Sequence, residues 1–171
     1  MTVKILISER RIKRKVKELG KQITKDYPNG IVVIGILKGC VLFLSDLVRE
    51  IKTDCVIDFI QVRSYTGTKS GTIKLIRDIS YNVSSKDVLI VDTILDTGKT
   101  VNFIRNHLLL KGARSVKVCV LLDKEEARQI PVRTDYVGFK IPNKFVIGYG
   151  LDFNEKYRNL ANIQIFCGPE K

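Results

Sequence analysis

Proline is scarce and glycine ordinary, at 4 and 12 of 171 residues, which excludes collagen-like and low-complexity designs. Long apolar runs are missing too. The longest, Ile31 to Leu37, has seven residues, far below the ~20 needed to cross a bilayer, so no membrane span is expected. The opening segment through Arg11 carries an apolar patch too short for a signal-peptide core and no small-residue cleavage site, so a cytoplasmic protein is expected. The four cysteines, Cys40, Cys55, Cys119 and Cys167, form no C-x-x-C pair, which argues against zinc or dithiol chemistry and for reduced core thiols. The one histidine, His107, falls in a helical stretch and reads as an exposed helix residue rather than a catalyst.

Acid is in short supply. Eighteen acidic against thirty basic residues leave a net charge of +12, a sign that suits nucleic acid, phosphorylated metabolites or an acidic surface. Six of the eight residues from Arg10 to Lys17 are basic, yet Ile12, Val16, Leu19 and Ile23 recur at helical spacing. The run therefore reads as the solvated face of an amphipathic helix before it reads as an RNA-binding stripe.

What is present describes an α/β domain. Hydrophobic residues at 44% and charged residues at 28% match globular usage, and the length is close to the ~150 of one domain. No linker or internal repeat interrupts the chain. Short β-rich runs alternate with helical patterns: strands at Val3 to Ile7, Ile31 to Ile36, Cys55 to Val62, Ile73 to Ile76, Val88 to Val91 and Val116 to Leu122, with helices from Glu9 to Lys25, Val41 to Ile51 and Gly98 to Lys111. Runs that are apolar throughout predict strands buried on both faces of a parallel sheet. The stretches Tyr136 to Ile141, Phe145 to Tyr149 and Ile163 to Phe166 predict further strands that pair at an edge or cover the sheet end. Ser64 to Thr72, polar and with two glycines, is a loop candidate.

In such sheets ligands sit beyond the carboxyl ends of the strands. There the sequence offers Asp92-Thr93-Ile94-Leu95-Asp96-Thr97-Gly98-Lys99-Thr100, a strand end in a carboxylate that turns into a helix. Backbone N–H groups of that turn and helix start form a phosphate cradle, with the Thr97 and Thr100 hydroxyls as further donors. Gly98-Lys99-Thr100 invites a P-loop reading, but that motif needs glycine where Thr93 stands. Gly35 to Gly39 and Gly148-Tyr149-Gly150 lack dinucleotide-binding spacing as well. A plain capped helix would explain Thr97 as N-cap, but not two carboxylates flanking Ile94 and Leu95.

This run resembles the phosphoribosyl pyrophosphate signature of the type I phosphoribosyltransferases: two acidic residues, two apolar residues, then Asp-Thr-Gly-x-Thr. Leu37-Lys38-Gly39 after a buried strand is similar to the family's pyrophosphate loop, Ser64-Tyr65 to the flexible loop of its hypoxanthine-guanine branch, and Lys124 falls where that branch reads the purine. Val137 to Leu160 is similar to the purine-binding hood, so the match runs in order from about Ile31 to Ile165. The resemblance implies a central parallel sheet flanked by helices, a core over about residues 25–135, and a strand-rich hood built from the N-terminal segment and about 136–171. It implies transfer of a phosphoribosyl group to a 6-oxopurine with Mg²⁺, in a homodimer or homotetramer that needs neither membrane nor nucleic acid. Carried over position by position, it puts Asp96 as general base and Asp92 and Thr93 at the ribose. Asp96, Thr97, Gly98, Lys99 and Thr100 surround the 5′-phosphate, and Leu37, Lys38, Gly39 and Arg158 the pyrophosphate. Lys124, Phe145, Val146 and Asp152 hold the purine, Ser64 and Tyr65 form a lid, and Asp152 and Asp92 stand near the metal.

Thr93 departs from the pattern, since the family carries a second acid there. A hydroxyl still bonds ribose but brings no charge to metal or to a ribosyl cation, so Thr93→Asp is expected to raise turnover more than it tightens binding. Two other outcomes fit the departure: impaired catalysis, or a phosphoribosyl pyrophosphate sensor that binds nucleic acid. The sensor reading has to explain why Asp96, Lys124, Phe145 and Asp152 are all in place, because a sensor needs no purine pocket.

Overall fold

Runs of Ile, Val and Leu bounded by turn residues set the frame. The computed structural model describes residues 4–64 and 73–166. Its elements follow the order β1 (Lys4–Ile7), α1 (Glu9–Asp26), β2 (Ile31–Leu37), α2 (Val41–Glu50), β3 (Cys55–Ser64), β4 (Ile73–Arg77), β5 (Asp87–Leu95), α3 (Lys99–Leu110), β6 (Ser115–Asp123), a 3₁₀ turn (Glu125–Ala127), β7 (Tyr136–Lys140), β8 (Val146–Ile147) and β9 (Ile163–Ile165). Apart from Ser64, the polar loop candidate, Tyr65 included, lies outside the described residues.

The main sheet has six strands in the order β4-β3-β2-β5-β6-β7, all parallel except β4. Alternate residues of the central strands enter two separate cores. Ile31 and Val33 of β2 and Leu89 and Val91 of β5 pack with α1 and α2, while Val32, Ile34, Val88 and Ile90 pack with α3. Burial on both faces is what made these strands readable as unbroken apolar runs, and each fully buried aliphatic side chain contributes about 1.5–3 kcal/mol. β1, β9 and β8 form a second, antiparallel sheet of three strands. β7 pairs in parallel with β6 at the edge of the main sheet, one of the two placements expected for Tyr136 to Ile141, so the sheet reaches Lys140, inside the stretch that the resemblance gave to the hood.

α1 buries Ile12, Val16, Leu19 and Ile23, the stripe its spacing predicts. Its basic side chains lie outside, and Lys13 and Lys15 pair with Glu9 and Glu18 at 2.6 Å. Arg11 and Lys15 rest on the Phe139 ring at 5.4 and 5.9 Å. These contacts are those of a solvated helix face.

Two polar ties fix strand starts. The Asp58 carboxylate of β3 accepts N–H bonds from Phe59, Ser80 and Tyr81, pinning the segment that leads into β5. At the start of β5, Asp87 accepts from Arg114 Nε at 3.0 Å and Ser115 Oγ at 2.6 Å, and these bonds hold its pKa down to about 2. A depressed carboxyl pKa contributes stability that is complete above the unfolded value near 3.9 and is lost as pH falls through the folded one. Asp87→Asn is therefore expected to lower unfolding free energy by about 1 kcal/mol at pH 7, discounted for solvent screening, with the gap to wild type closing between about pH 4 and pH 2 in denaturant titrations.

Candidate active site

β5 does not end at Asp92, where its apolar run stops. Its ladder with β6 runs on through Ile94 opposite Leu122 and Leu95 opposite Asp123, so Asp92 and Thr93 lie inside the strand. Asp92 is partly buried and accepts the Thr93 N–H at 2.7 Å. Burial pushes its carboxyl up to about 7, against the opposing pull of the Thr93 and Ile94 N–H groups. Thr93 is wholly buried, and its hydroxyl is donated to the Gly39 carbonyl at 2.9 Å. That geometry turns the Thr93 side chain away from the expected ribose contact, because it is wholly buried and its one O–H is donated inside the protein.

Beyond β5 the chain turns through Asp96, Thr97 and Gly98 into α3. Gly98, not Thr97, is the N-cap, at φ +85°. A Cβ there would stand 2.5 Å from the Ile130 carbonyl oxygen, and Thr97 O accepts from the Gln129 and Ile130 N–H groups at 2.9 and 3.0 Å. The backbone thus folds tightly, the Thr97 hydroxyl oxygen accepts the Lys99 N–H at 3.4 Å, and the first turn of α3, with Lys99 and Thr100, offers its remaining N–H groups to an anion. Asp96 is exposed, and its carboxylate lies 3.4 Å from Lys124 Nζ. Lys124 follows β6, its side chain only 7% exposed. Beneath this pair Arg128 bonds the Asp96 carbonyl at 3.0 Å and pairs with the buried Asp123. Neither Arg128 nor Asp123 was picked out from the sequence.

The turn after β2 carries Lys38 and Gly39, entered through a cis Leu37–Lys38 peptide. It meets the hood backbone to backbone: a Cβ on Gly150 would lie 2.1 Å from the Gly39 oxygen. Arg158 donates to the Gly150 carbonyl at 2.8 Å and pairs with Asp152 at 2.9 Å. Glu155, also missed in the sequence although it lies in the quoted hood segment, pairs with Lys38 at 2.9 Å and Arg158 at 3.4 Å. Its carboxyl is lowered chiefly by the Lys38 bond. Leu37, Lys38, Gly39, Thr93, Asp152 and Arg158 therefore belong to one connected network.

Phe145 is 52% exposed, at the entry to β8. Phe153 and Phe166 present edges to it at 6.0 and 5.8 Å and stack on each other at 4.4 Å, which holds one large aromatic face toward solvent. Val146 is buried and paired with Ile165 in the small sheet. His107 is not the exposed residue expected: it is partly buried, with Nε2 2.9 Å from Asp78 and its ring stacked on Phe103. It borders a recess of about 430 Å³ with Phe103, Leu110 and Ile130 that shares only Lys99 with the cradle. Among the described residues no three His, Cys, Asp or Glu side chains gather as a metal cage.

A doubly covered parallel sheet with an anion cradle and an acid–lysine pair beyond adjacent strand ends defines a protein that handles a phosphorylated substrate at its strand tips. Residues 3–154 match the phosphoribosyl transferase domain family. The hypoxanthine-guanine phosphoribosyltransferase of Aquifex aeolicus is 47% identical over 165 residues, covering 94% of this chain and 93% of its own. That of Streptococcus pyogenes is 42% identical over 165 residues, with 95% and 92% covered. A solved hypoxanthine-guanine phosphoribosyltransferase from Bacillus anthracis, with a HEPES molecule in its active site, superposes at a TM-score of 0.92 with 44% identity, over 96% of this chain and 99% of its own. The chain belongs to the phosphoribosyltransferase family.

Gly98→Ala tests the tight turn. The left-handed backbone and the blocked Cβ position are expected to cost about 1–3 kcal/mol in urea unfolding, whereas Thr97→Ser at the neighbouring position should cost less than about 0.5 kcal/mol.

Proposed function

We propose that this protein transfers the 5-phosphoribosyl group of phosphoribosyl pyrophosphate to a 6-oxopurine, hypoxanthine or guanine, in purine salvage. The carbon–oxygen bond to pyrophosphate breaks, a bond from the anomeric carbon to a purine ring nitrogen forms, and that nitrogen's proton leaves. The products are the nucleoside 5′-monophosphate, IMP or GMP, and pyrophosphate. The observation that carries the reading is the Asp96–Lys124 pair. A buried ammonium beside an exposed carboxylate at the tips of adjacent strands supplies a donor for a 6-oxo group and an acceptor for the ring proton, and a phosphate-binding sensor needs neither.

The other residues take parts their surroundings support. The first turn of α3, with Thr97, Gly98, Lys99 and Thr100, holds the 5′-phosphate, and Asp92 accepts from the ribose hydroxyls. Lys38, the backbone of Leu37 and Gly39, and Arg158 bind the diphosphate, Arg158 through its planar fork. Phe145 stacks on the purine, Val146 offers main-chain groups to its edge, and Ser64 and Tyr65 belong to the loop the family closes over the site.

Magnesium fits this donor set as an ion carried by the substrate. Asp152 is a single carboxylate already tied to Arg158 and to the Glu155 N–H, and with Asp92 it would meet an ion bound mainly by diphosphate oxygens and water. Such an ion neutralises leaving-group charge. A second copy of the chain is the partner that the family resemblance implies. A cytoplasmic setting agrees with Cys40, Cys55 and Cys119 as free thiols and with the lack, among the described residues, of a helix long and apolar enough to cross a membrane.

The direct experiment is steady-state formation of IMP and GMP from each purine with magnesium phosphoribosyl pyrophosphate. Asp96→Asn is expected to keep nucleotide affinity and lose about 10²–10⁴-fold in turnover. An unchanged turnover would place the base elsewhere. Phe145→Ala is expected to weaken purine binding by about 1–3 kcal/mol, the range for base stacking on aromatic side chains, and calorimetry showing equal affinity would reject the stacking role.

A further inference from the structure

The Thr93 side chain is spent on the turn after β2, and that turn is the diphosphate cradle of the function proposed above, on which this inference rests. Two of the turn's carbonyls have fixed partners. Lys38 O accepts the Val41 N–H at 3.3 Å, and Gly39 O accepts the Thr93 hydroxyl at 2.9 Å across 54 residues of sequence. A trans peptide points its N–H opposite to its C=O. Holding the Lys38 carbonyl toward α2 therefore aims the Gly39 N–H the other way, and holding the Gly39 carbonyl toward Thr93 fixes the plane of the next peptide.

The same oxygen is confined from the hood side. It lies so close to Gly150 that a Cβ there would stand 2.1 Å from it, and Gly150 is bonded through both backbone groups to Arg158, N–H to O at 2.9 Å and O from Nη1 at 2.8 Å. Gly39 O is thus where β5, the turn and the hood arginine meet. Thr93 is wholly buried, so water cannot replace its hydroxyl there.

We infer that Thr93 is a positioning residue: it donates to Gly39 O and so holds the 37–39 turn in register with Arg158 for binding a diphosphate. The polarity of that bond separates this chain from relatives with an acid in the same place. An ionised carboxylate only accepts, so at this buried position it would either set oxygen against the Gly39 oxygen and demand the opposite peptide orientation, or have to hold a proton in order to donate. Thr93→Asp is then damaging, the reverse of what the departure from the family pattern suggested on sequence.

The test compares wild type with Thr93→Val, which keeps the shape and removes the donor, Thr93→Ser, which keeps the donor, and Thr93→Asp. Calorimetry with magnesium pyrophosphate and with magnesium phosphoribosyl pyrophosphate, in the absence of purine, reads the turn directly. Thr93→Val is expected to bind both about 5- to 50-fold more weakly, the usual effect of leaving a buried acceptor unpaired. Thr93→Ser should return to within about threefold of wild type and Thr93→Asp should fall at least as far as Thr93→Val. In steady-state assays the Thr93→Val loss should appear in KM for phosphoribosyl pyrophosphate, with KM for the purine unchanged. Thr93→Val with lowered thermal stability but wild-type diphosphate affinity would overturn the inference, as would Thr93→Asp binding more tightly than wild type. A wild-type protein that binds both diphosphates yet makes no nucleotide would reject the purine reading while leaving this comparison intact. One that binds neither would overturn both.

Discussion

A parallel sheet covered on both faces leaves its connections no route except past the strand ends, and Lys38, Asp96 and Lys124 sit on such connections. β2 and β5 bury residues of both parities, so no polar side chain fits along them until the ladder nears its carboxyl edge. Asp92, Thr93, Lys38, Asp96 and Lys124 follow at that edge. Their placement comes from the pairing of β2, β5 and β6 rather than from local preference. Lys124 N–H, bonded to Leu95 O at 3.0 Å, shows the ladder itself aligning the two tips that carry Asp96 and Lys124.

Most of the polar groups above that edge pair with one another, although among the described residues the buried Arg158 Nε finds no hydrogen-bond partner. Lys38 and Arg158 share Glu155, Arg158 also holds Asp152, and Lys124 leans on Asp96. An exposed pair such as Lys38–Glu155 contributes little to stability, so exchanging its carboxylate for the oxygens of an incoming diphosphate would cost little. The net charge of +12 adds long-range attraction for a polyanionic substrate, strongest at low salt. By contrast Asp123 and Arg128 are buried together under the Asp96–Lys124 pair, and removing either would leave an unpaired charge in the interior.

The central strands and α1 were legible because burial writes a simple pattern: continuous apolar runs for β2 and for Val88 to Val91 of β5, a helical stripe for α1. Legibility failed where polar residues end the pattern before the structure ends. β5 looked finished at Val91 because Asp92 and Thr93 are polar, yet its backbone pairing continues to Leu95. β8 and β9, of two and three residues, fall within the expected stretches Phe145 to Tyr149 and Ile163 to Phe166, but their pairing with each other and with β1 left no signal. Motif spacing brought the site residues forward one segment at a time. The partners that join those segments, Gly39 for Thr93 and Glu155 for Lys38, lie 54 and 117 residues away and leave no local signal.

The continuation of β5 also bears on the Asp92-Thr93 pair. Two adjacent side chains grip the same ligand when the strand has already ended and the backbone is free to turn both outward. Within a paired strand, neighbours point to opposite faces. Here Thr93 shares parity with Leu89 and Val91, which face α1 and α2, and the turn leading into α2 is where its hydroxyl goes. Asp92 alone remains partly open. An acid at position 93 would be driven into that interior, next to a carboxyl that burial already raises to about 7. A hydroxyl satisfies the same buried carbonyl without adding charge, so in this backbone the neutral residue is the one that fits.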